Sequence, residues 1–296
     1  MADPQSLLPP IIYAEASVRS LGGTSLFQAR TPISRHTVDR YYTDSRHLDR
    51  ATQQLRSAGF DILERGRISI TIAAEPKVYE RTFGTPIIRR ERPVLKELGQ
   101  STTATFLDSP NTNLFGLIDV SHHPVSEVIE GIALNEPIYY FESARPPVTS
   151  YWHLKVPDGV AKELRADRIH KMGITGKGVK VAMVDSGWYR HPFFQHRGYR
   201  ASVVLDASAR DRDRDERGHG TGESANLFAV APDVELVMVK TQLINAIGAL
   251  KTAISLRPQI ISCSWGNNQT HPYLCDCRLF KAKISAYITL LLGDND

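Results

Sequence analysis

The run Val179-Lys180-Val181-Ala182-Met183-Val184 is almost continuously apolar, and Asp185-Ser186-Gly187 stops it. An apolar run of this length bounded by turn residues reads as a strand buried on both faces, the signature of a parallel sheet covered by helices on each side. Two further runs have the same form, Val234 to Lys240 and Ile260-Ile261-Ser262-Cys263-Ser264-Trp265-Gly266, with a helix expected between them over Leu243 to Leu256. An amphipathic helix, Ala161 to Met172, leads into the first strand and ends at Gly173. Such sheets collect their functional groups at the carboxyl ends of the strands, where Asp185 stands.

The first half of the chain has a different rhythm. Asp44 to Ala58 places Leu48, Ala51, Leu55 and Ala58 on one helical face, with Gly59 as the stop. Ile68, Ile70 and Ile72 alternate with Ser69 and Thr71, as a half-buried strand would. Pro76 opens a short helix that Gly84 closes after Phe83. A strand over Thr102 to Phe106, a helix over Val125 to Leu134 and a last strand, Ile138 to Phe141, complete a βαββαβ-like order that suits a split ferredoxin-type sandwich. Between Glu142 and Pro157 the sequence becomes proline-rich and poor in aliphatics, which favours extended chain. The domains are therefore expected to be 1–150 and 151–296.

The second chemical signal is Gly218-His219-Gly220-Thr221-Gly222, which opens a segment running to Phe228. Flanking glycines let the backbone come close to the histidine, so a helix start here would hold the imidazole in place. TGKGVKVAMVDSGWYRHPFF around Asp185, RGHGTG around His219, and the later FAVAPDVELVMVK resemble the subtilase family. The resemblance covers residues 161 to about 268. It implies that Asp185 is the orienting acid and His219 the general base of a Ser-His-Asp triad. A serine hydroxyl is a weak nucleophile near neutral pH, so a histidine must take its proton and a carboxylate must fix that histidine's tautomer.

The same resemblance implies that Ser264, Trp265 and Gly266 lie on the strand that pairs with substrate backbone, a mode in which main-chain bonds give affinity and pockets give selectivity. Trp265 stands where leucine is commoner. Asn295, in Gly293-Asp294-Asn295-Asp296 after an expected helix (Phe280 to Tyr287) and strand (Ile288 to Leu292), matches the family's oxyanion asparagine, although Asp294 replaces a glycine. Upstream, Leu55 to Thr85, with Tyr79-Glu80-Arg81-Thr82-Phe83-Gly84-Thr85 at its end, resembles the activation prodomain of sedolisin-type proteases. The expected fold class is thus α/β: an N-terminal α+β ferredoxin-like prodomain followed by an incomplete subtilisin-like parallel α/β sheet.

The incompleteness concerns the nucleophile. No Gly-Thr-Ser follows His219; the chain has this string once, at Gly23-Thr24-Ser25, where no small-residue helix follows, and Ser25 is read as a coincidence. The expected function is that of a serine endopeptidase precursor whose serine is absent from this chain, cut short or completed by a second polypeptide. The alternatives are a non-catalytic peptide- or protease-binding protein, or one half of a split protease.

Composition narrows the partners. The chain is 42% hydrophobic and 23% charged, normal for a domain with a buried core, and its net charge of +4 is spread among interleaved acids and bases without a basic stripe. The expected partners are peptide or protein substrates rather than nucleic acid or membrane. No apolar run approaches a membrane span, and Met1 to Pro10 lacks the features of a signal peptide, so a cytoplasmic location is the default expectation. Cys263, Cys275 and Cys277 form an odd set and are expected to be free thiols. Asp211-Arg212-Asp213-Arg214-Asp215 alternates carboxylates but lacks the glycine and glutamate of a calcium loop and reads as a solvated loop. No cofactor or metal ligand set is expected, and a structural calcium is not legible.

Overall fold

The computed structural model describes residues 8–29, 33–34, 36–95, 101–140, 154–267 and 269–270. The chain divides into two compact units, one of residues 1–137 with 267–296 and the other of residues 138–266.

The first unit contains β1 (Ile12–Val18), α1 (Ser45–Ala58), β2 (Asp61–Arg65), β3 (Ser69–Ala74), α2 (Pro76–Phe83), β4 (Ile88–Leu95), β5 (Ser101–Asp108), β6 (Leu117–Ile118) and β7 (Ile129–Leu134). Its main sheet has the order β2-β3-β1-β7-β6, antiparallel throughout, while β4 and β5 form a separate hairpin. Asp44 caps α1 by accepting from the His47 N–H at 2.7 Å, and Gly59 ends the helix in the left-handed conformation. The core joins Ala51 and Leu55 of α1 and Tyr79 of α2 to Ile12, Ala14, Ile70, Ile72 and Ile132 of the sheet. The Tyr79 hydroxyl, wholly buried, donates to the Ile12 carbonyl at 2.9 Å.

Two expectations fail in this unit. Strand β3 is buried along its whole length rather than on one face. Its polar residues serve a buried carboxylate: Ser69 Oγ and Thr71 Oγ1 donate to the two oxygens of Glu15 at 2.5 and 2.7 Å. The expected helix Val125 to Leu134 is instead a 3-10 turn, Pro124–Glu127, followed by β7. The apolar residues 125, 128, 129 and 132 imitate helical spacing, but all four are β-branched, and pairing with β1 favours the strand. Gly131 lies flush against Phe27, whose ring leaves no room for a Cβ.

The second unit holds β8 (Ile138–Tyr140), α3 (Asp158–Glu163), α4 (Ala166–His170), β9 (Lys180–Asp185), α5 (Pro192–Arg197), β10 (Ala201–Leu205), α6 (His219–Val230), β11 (Glu235–Lys240), α7 (Ala246–Ser255), β12 (Ile260–Ser262) and β13 (Trp265–Asn267). Four strands form a parallel sheet in the order β10-β11-β9-β12, and β13 pairs with β8. A last strand, β14 (Gln269–Thr270), belongs to the first unit, where it pairs with β4. Both faces of the parallel sheet are covered, which explains its unbroken apolar strands. Val181, Met183, Leu236 and Met238 pack with Phe194 and Phe228 of α5 and α6. Ala182, Val184 and Val239 pack with Ala246, Ala249 and Ala253 of α7.

Corrections here are local. The single helix expected over Ala161 to Met172 breaks into α3 and α4 because Arg165 takes a left-handed φ of 60°. Asp185 is the last residue of β9 rather than the first beyond it. The run Ile260 to Gly266 divides between β12, which joins β9, and β13, which joins β8. Among the described residues no helix is long and apolar enough to cross a membrane. Asn295, Cys275, Cys277, the expected elements Phe280 to Tyr287 and Ile288 to Leu292, and most of the proline-rich stretch lie outside the described residues.

Candidate active site

Strand β9 delivers Asp185 to the carboxyl edge of the parallel sheet, and α6 begins with His219. Gly218, with φ 74°, turns the chain into that helix. Gly220 lets the first turn lie against the strand end: a Cβ there would sit 2.4 Å from the Gly187 carbonyl and 3.0 Å from Asp185 Oδ1. The two side chains meet at 2.8 Å, His219 Nδ1 to Asp185 Oδ1. An ionised carboxylate can only accept, so Nδ1 carries the proton and Nε2 is left as the basic nitrogen.

Asp185 is fully buried. Burial pushes its carboxyl above the ordinary range, opposed by the bond from His219 and by the Ser186 N–H at 2.7 Å. Its second oxygen is buried and has no hydrogen-bond partner among the described residues. Nearby, burial and then the Asp185 charge push the Cys263 thiol up to about 12. Cys263 is therefore expected to resist alkylation at pH 8 in the native chain and to react only after denaturation, which mass mapping of the modified peptide would check.

Four neighbours were not singled out by sequence. Tyr140 of β8 lays its ring beside the imidazole, with centroids 5.0 Å apart, and its hydroxyl donates to the Thr241 carbonyl at 2.9 Å. Glu223, one turn along α6, brings a carboxylate oxygen to 4.0 Å from His219 Nε2 and accepts from Ser264 Oγ at 3.3 Å. Asp215 ends the Asp/Arg run. Asp211 to Arg214 are exposed as expected, but Asp215 is half-buried and accepts from Ser186 Oγ, the Gly218 N–H, and both the N–H and hydroxyl of Thr221. Burial alone would raise its carboxyl, yet these bonds hold it below its ordinary value. Lys240, buried, folds the loop inward by donating to the carbonyls of Asp211 and Arg214 and to Glu216. The loop is thus anchored at both its ends, not simply solvated. Its sequence signal is a carboxylate three residues ahead of the glycine that caps the helix, within reach of the N–H groups of Gly218 and Thr221.

Of the other expected site residues, Ser264 touches Glu223, and Trp265 is buried with its indole N–H donating to the Val184 carbonyl at 3.0 Å. Gly266 follows in β13. Ser25 lies in the first unit, where its hydroxyl caps a 3-10 turn by accepting from the Phe27 N–H. Among the described residues no group of three or more His, Cys, Asp or Glu side chains is arranged to hold a metal.

Comparison with known proteins addresses the carboxyl-terminal half of the chain. Residues 176–286 match the subtilase family. The chain is 30% identical over 155 residues to an alkaline protease of Alkalihalobacillus alcalophilus, a match taking in 49% of this chain and 37% of that protein. It is 32% identical over 126 residues to subtilisin BL of Lederbergia lenta, covering 39% of this chain and 43% of that one. The chain thus spans less than half the length of these curated relatives and is a distant homologue of subtilisin-type serine proteases over about half its own. Among solved structures it is similar to MycP1 from Mycobacterium smegmatis, with a TM-score of 0.34, 20% identity, and coverage of 53% of this chain and 48% of that one. Asp185, His219 and Ser264 to Gly266 all fall inside the subtilase match.

Proposed function

We propose that this chain is part of a subtilase-type serine endopeptidase precursor, in which Asp185 orients and His219 abstracts. The observation that carries the reading is the 2.8 Å bond between a buried carboxylate at a parallel strand's end and the imidazole at a helix start, inside the subtilase segment. In that role Nε2 takes the proton of a serine hydroxyl as it attacks a peptide carbonyl, and later gives it to the leaving amine. Asp185 holds the tautomer that leaves Nε2 basic and stabilises the imidazolium. No Gly-Thr-Ser follows His219 in the 296 residues, so the nucleophile is supplied by sequence beyond them or by a second polypeptide.

The domains proposed are a prodomain of residues 1–150 and catalytic sequence from 151 onward. Strands β2-β3-β1-β7 with α1 and α2 have the order and antiparallel pairing of a ferredoxin-like βαββαβ sandwich, into which the β4–β5 hairpin is inserted. The tail of this prodomain, β8, pairs with β13, the strand proposed to bind substrate, and brings Tyr140 onto His219. Substrate peptides would take the place of β8, forming main-chain bonds to the same strand.

A serine-directed fluorophosphonate tests the reading. The 296-residue chain alone is expected to stay unlabelled. Mixed with a polypeptide bearing the carboxyl-terminal part of a subtilase, including its Gly-Thr-Ser, it should give label on that serine, and His219→Ala should reduce labelling by several orders of magnitude. Label on Ser25 of the chain alone would overturn the assignment. A fragment of residues 1 to about 145, which keeps β8, is expected to unfold cooperatively by itself and to inhibit a complete subtilase; a fragment that does neither is no prodomain.

A further inference from the structure

We infer that Asp215 is the positioning residue of the Asp185–His219 pair, acting on both partners at once, and that Lys240 sets Asp215 in place. The inference rests on the acid–base reading above, but its test needs no serine.

One oxygen of Asp215 accepts from Ser186 Oγ at 2.7 Å and from the Gly218 N–H at 3.0 Å. The other accepts from the Thr221 N–H at 2.9 Å and from its hydroxyl at 2.7 Å. Ser186 directly follows the acid, Gly218 directly precedes the base, and Thr221 completes the first turn of the helix that the base begins. A single carboxylate therefore ties the end of β9 to the start of α6. Ser186 Oγ adds a second tie, accepting from the Gly220 N–H at 2.9 Å. All four contacts of Asp215 are donors, so an amide in its place would turn an NH2 group toward two of them.

The first turn of a helix has N–H groups without helical partners, and a carboxylate there both satisfies them and complements the helix dipole. His219 lies in this turn. Fraying of the turn would swing the imidazole away from Asp185, and the tolerance for such groups is about 0.5 Å. Lys240 supports the arrangement from beneath. It is the register partner of Asp185 in the sheet, and its ammonium holds the carbonyls of Asp211 and Arg214 at 2.9 and 2.8 Å, fixing the loop just ahead of Asp215.

The experiment is NMR of the full chain with 15N-labelled histidine, with His219→Gln identifying the resonances. Wild type should show a protected, downfield Nδ1 proton and the tautomer with a basic Nε2. Asp215→Asn, still folded by circular dichroism, should lose that proton to exchange broadening and show mixed tautomers. Thr221→Ser, which keeps both donors, should leave the signal in place. Thr221→Val, which removes one, should speed its exchange several-fold, and Lys240→Met should do the same. Should Asp215→Asn not fold, the Thr221 pair decides: equal exchange in Thr221→Val and Thr221→Ser overturns the inference, as does an unchanged signal in a folded Asp215→Asn. Absence of the signal in wild type would sink the acid–base reading and the inference with it. A normal signal with no labelling of the complemented enzyme would sink only the proposed function.

Discussion

Alanine in place of Gly220 should unfold the second unit or displace α6 from β9. Its Cβ would lie 2.4 Å from the Gly187 carbonyl, a backbone atom that cannot swing aside. The cost is expected to be about 3 kcal/mol or more, in the range of severe overpacking and strain. Thermal melts would show it as a lowered Tm, and the His219 Nδ1 signal should vanish. Gly222→Ala is the control two residues along. No described residue lies within 4 Å of its Cβ position, so alanine should stabilise the helix by up to about 1 kcal/mol. If the two variants melt alike, the close approach of α6 to β9 is not what holds the pair together.

The second large effect is expected from Asp185→Asn, which should raise stability while abolishing the proposed activity. Folding raises this carboxyl's pKa, chiefly by burial, so the folded chain keeps the proton at a pH where the unfolded chain has lost it. The group favours folding fully below its unfolded value near 3.8, and that contribution is lost as pH rises through the folded value. At neutral pH the buried charge is a cost, which asparagine removes while still accepting from the Ser186 N–H. Tm should rise by a few degrees at pH 7, and the difference from wild type should shrink toward pH 3. In the serine-complemented enzyme the same change should lower kcat about 10^4-fold, because the amide that accepts from Nδ1 carries no charge to stabilise the imidazolium. A variant less stable at pH 7 than wild type would mean that the bond from His219 outweighs the burial of the charge.

Those features of the fold that depend on local chemistry were readable in the sequence. Asp44 and Gly59 mark both ends of α1, and Pro76 and Gly84 those of α2. The apolar runs gave the parallel strands because each is covered on both faces and needs no alternation. Where tertiary pairing decides, the reading failed. Val125, Val128, Ile129 and Ile132 have helical spacing, yet β1 recruits the last part of that segment as a strand. Nothing local marks Arg165 as left-handed. At the site, Asp185 and His219 were legible because a strand end and a glycine-bracketed helix start are short-range signals. Asp215 was hidden in a polar run whose other members are exposed, and Tyr140 is brought to the histidine by strand pairing across a long stretch of chain.

That strand pairing also sets how β8 can be displaced. Because β8 and β13 belong to one chain, occupancy is governed by local concentration as well as by affinity. A segment held in the same chain as its binding site can act at up to about millimolar effective concentration. A free peptide of equal intrinsic affinity would have to approach that level to compete. A single cut between residues 140 and 154 changes the arithmetic: β8 and the sequence ahead of it are then held by non-covalent pairing alone, β14 on β4 as well as β13 on β8, and once released are diluted to the concentration of the protein itself. At nanomolar protein this is about a million-fold drop, so one backbone cleavage would favour emptying the strand pairing and uncovering the face of His219, with Tyr140 released from both the imidazole and the Thr241 carbonyl.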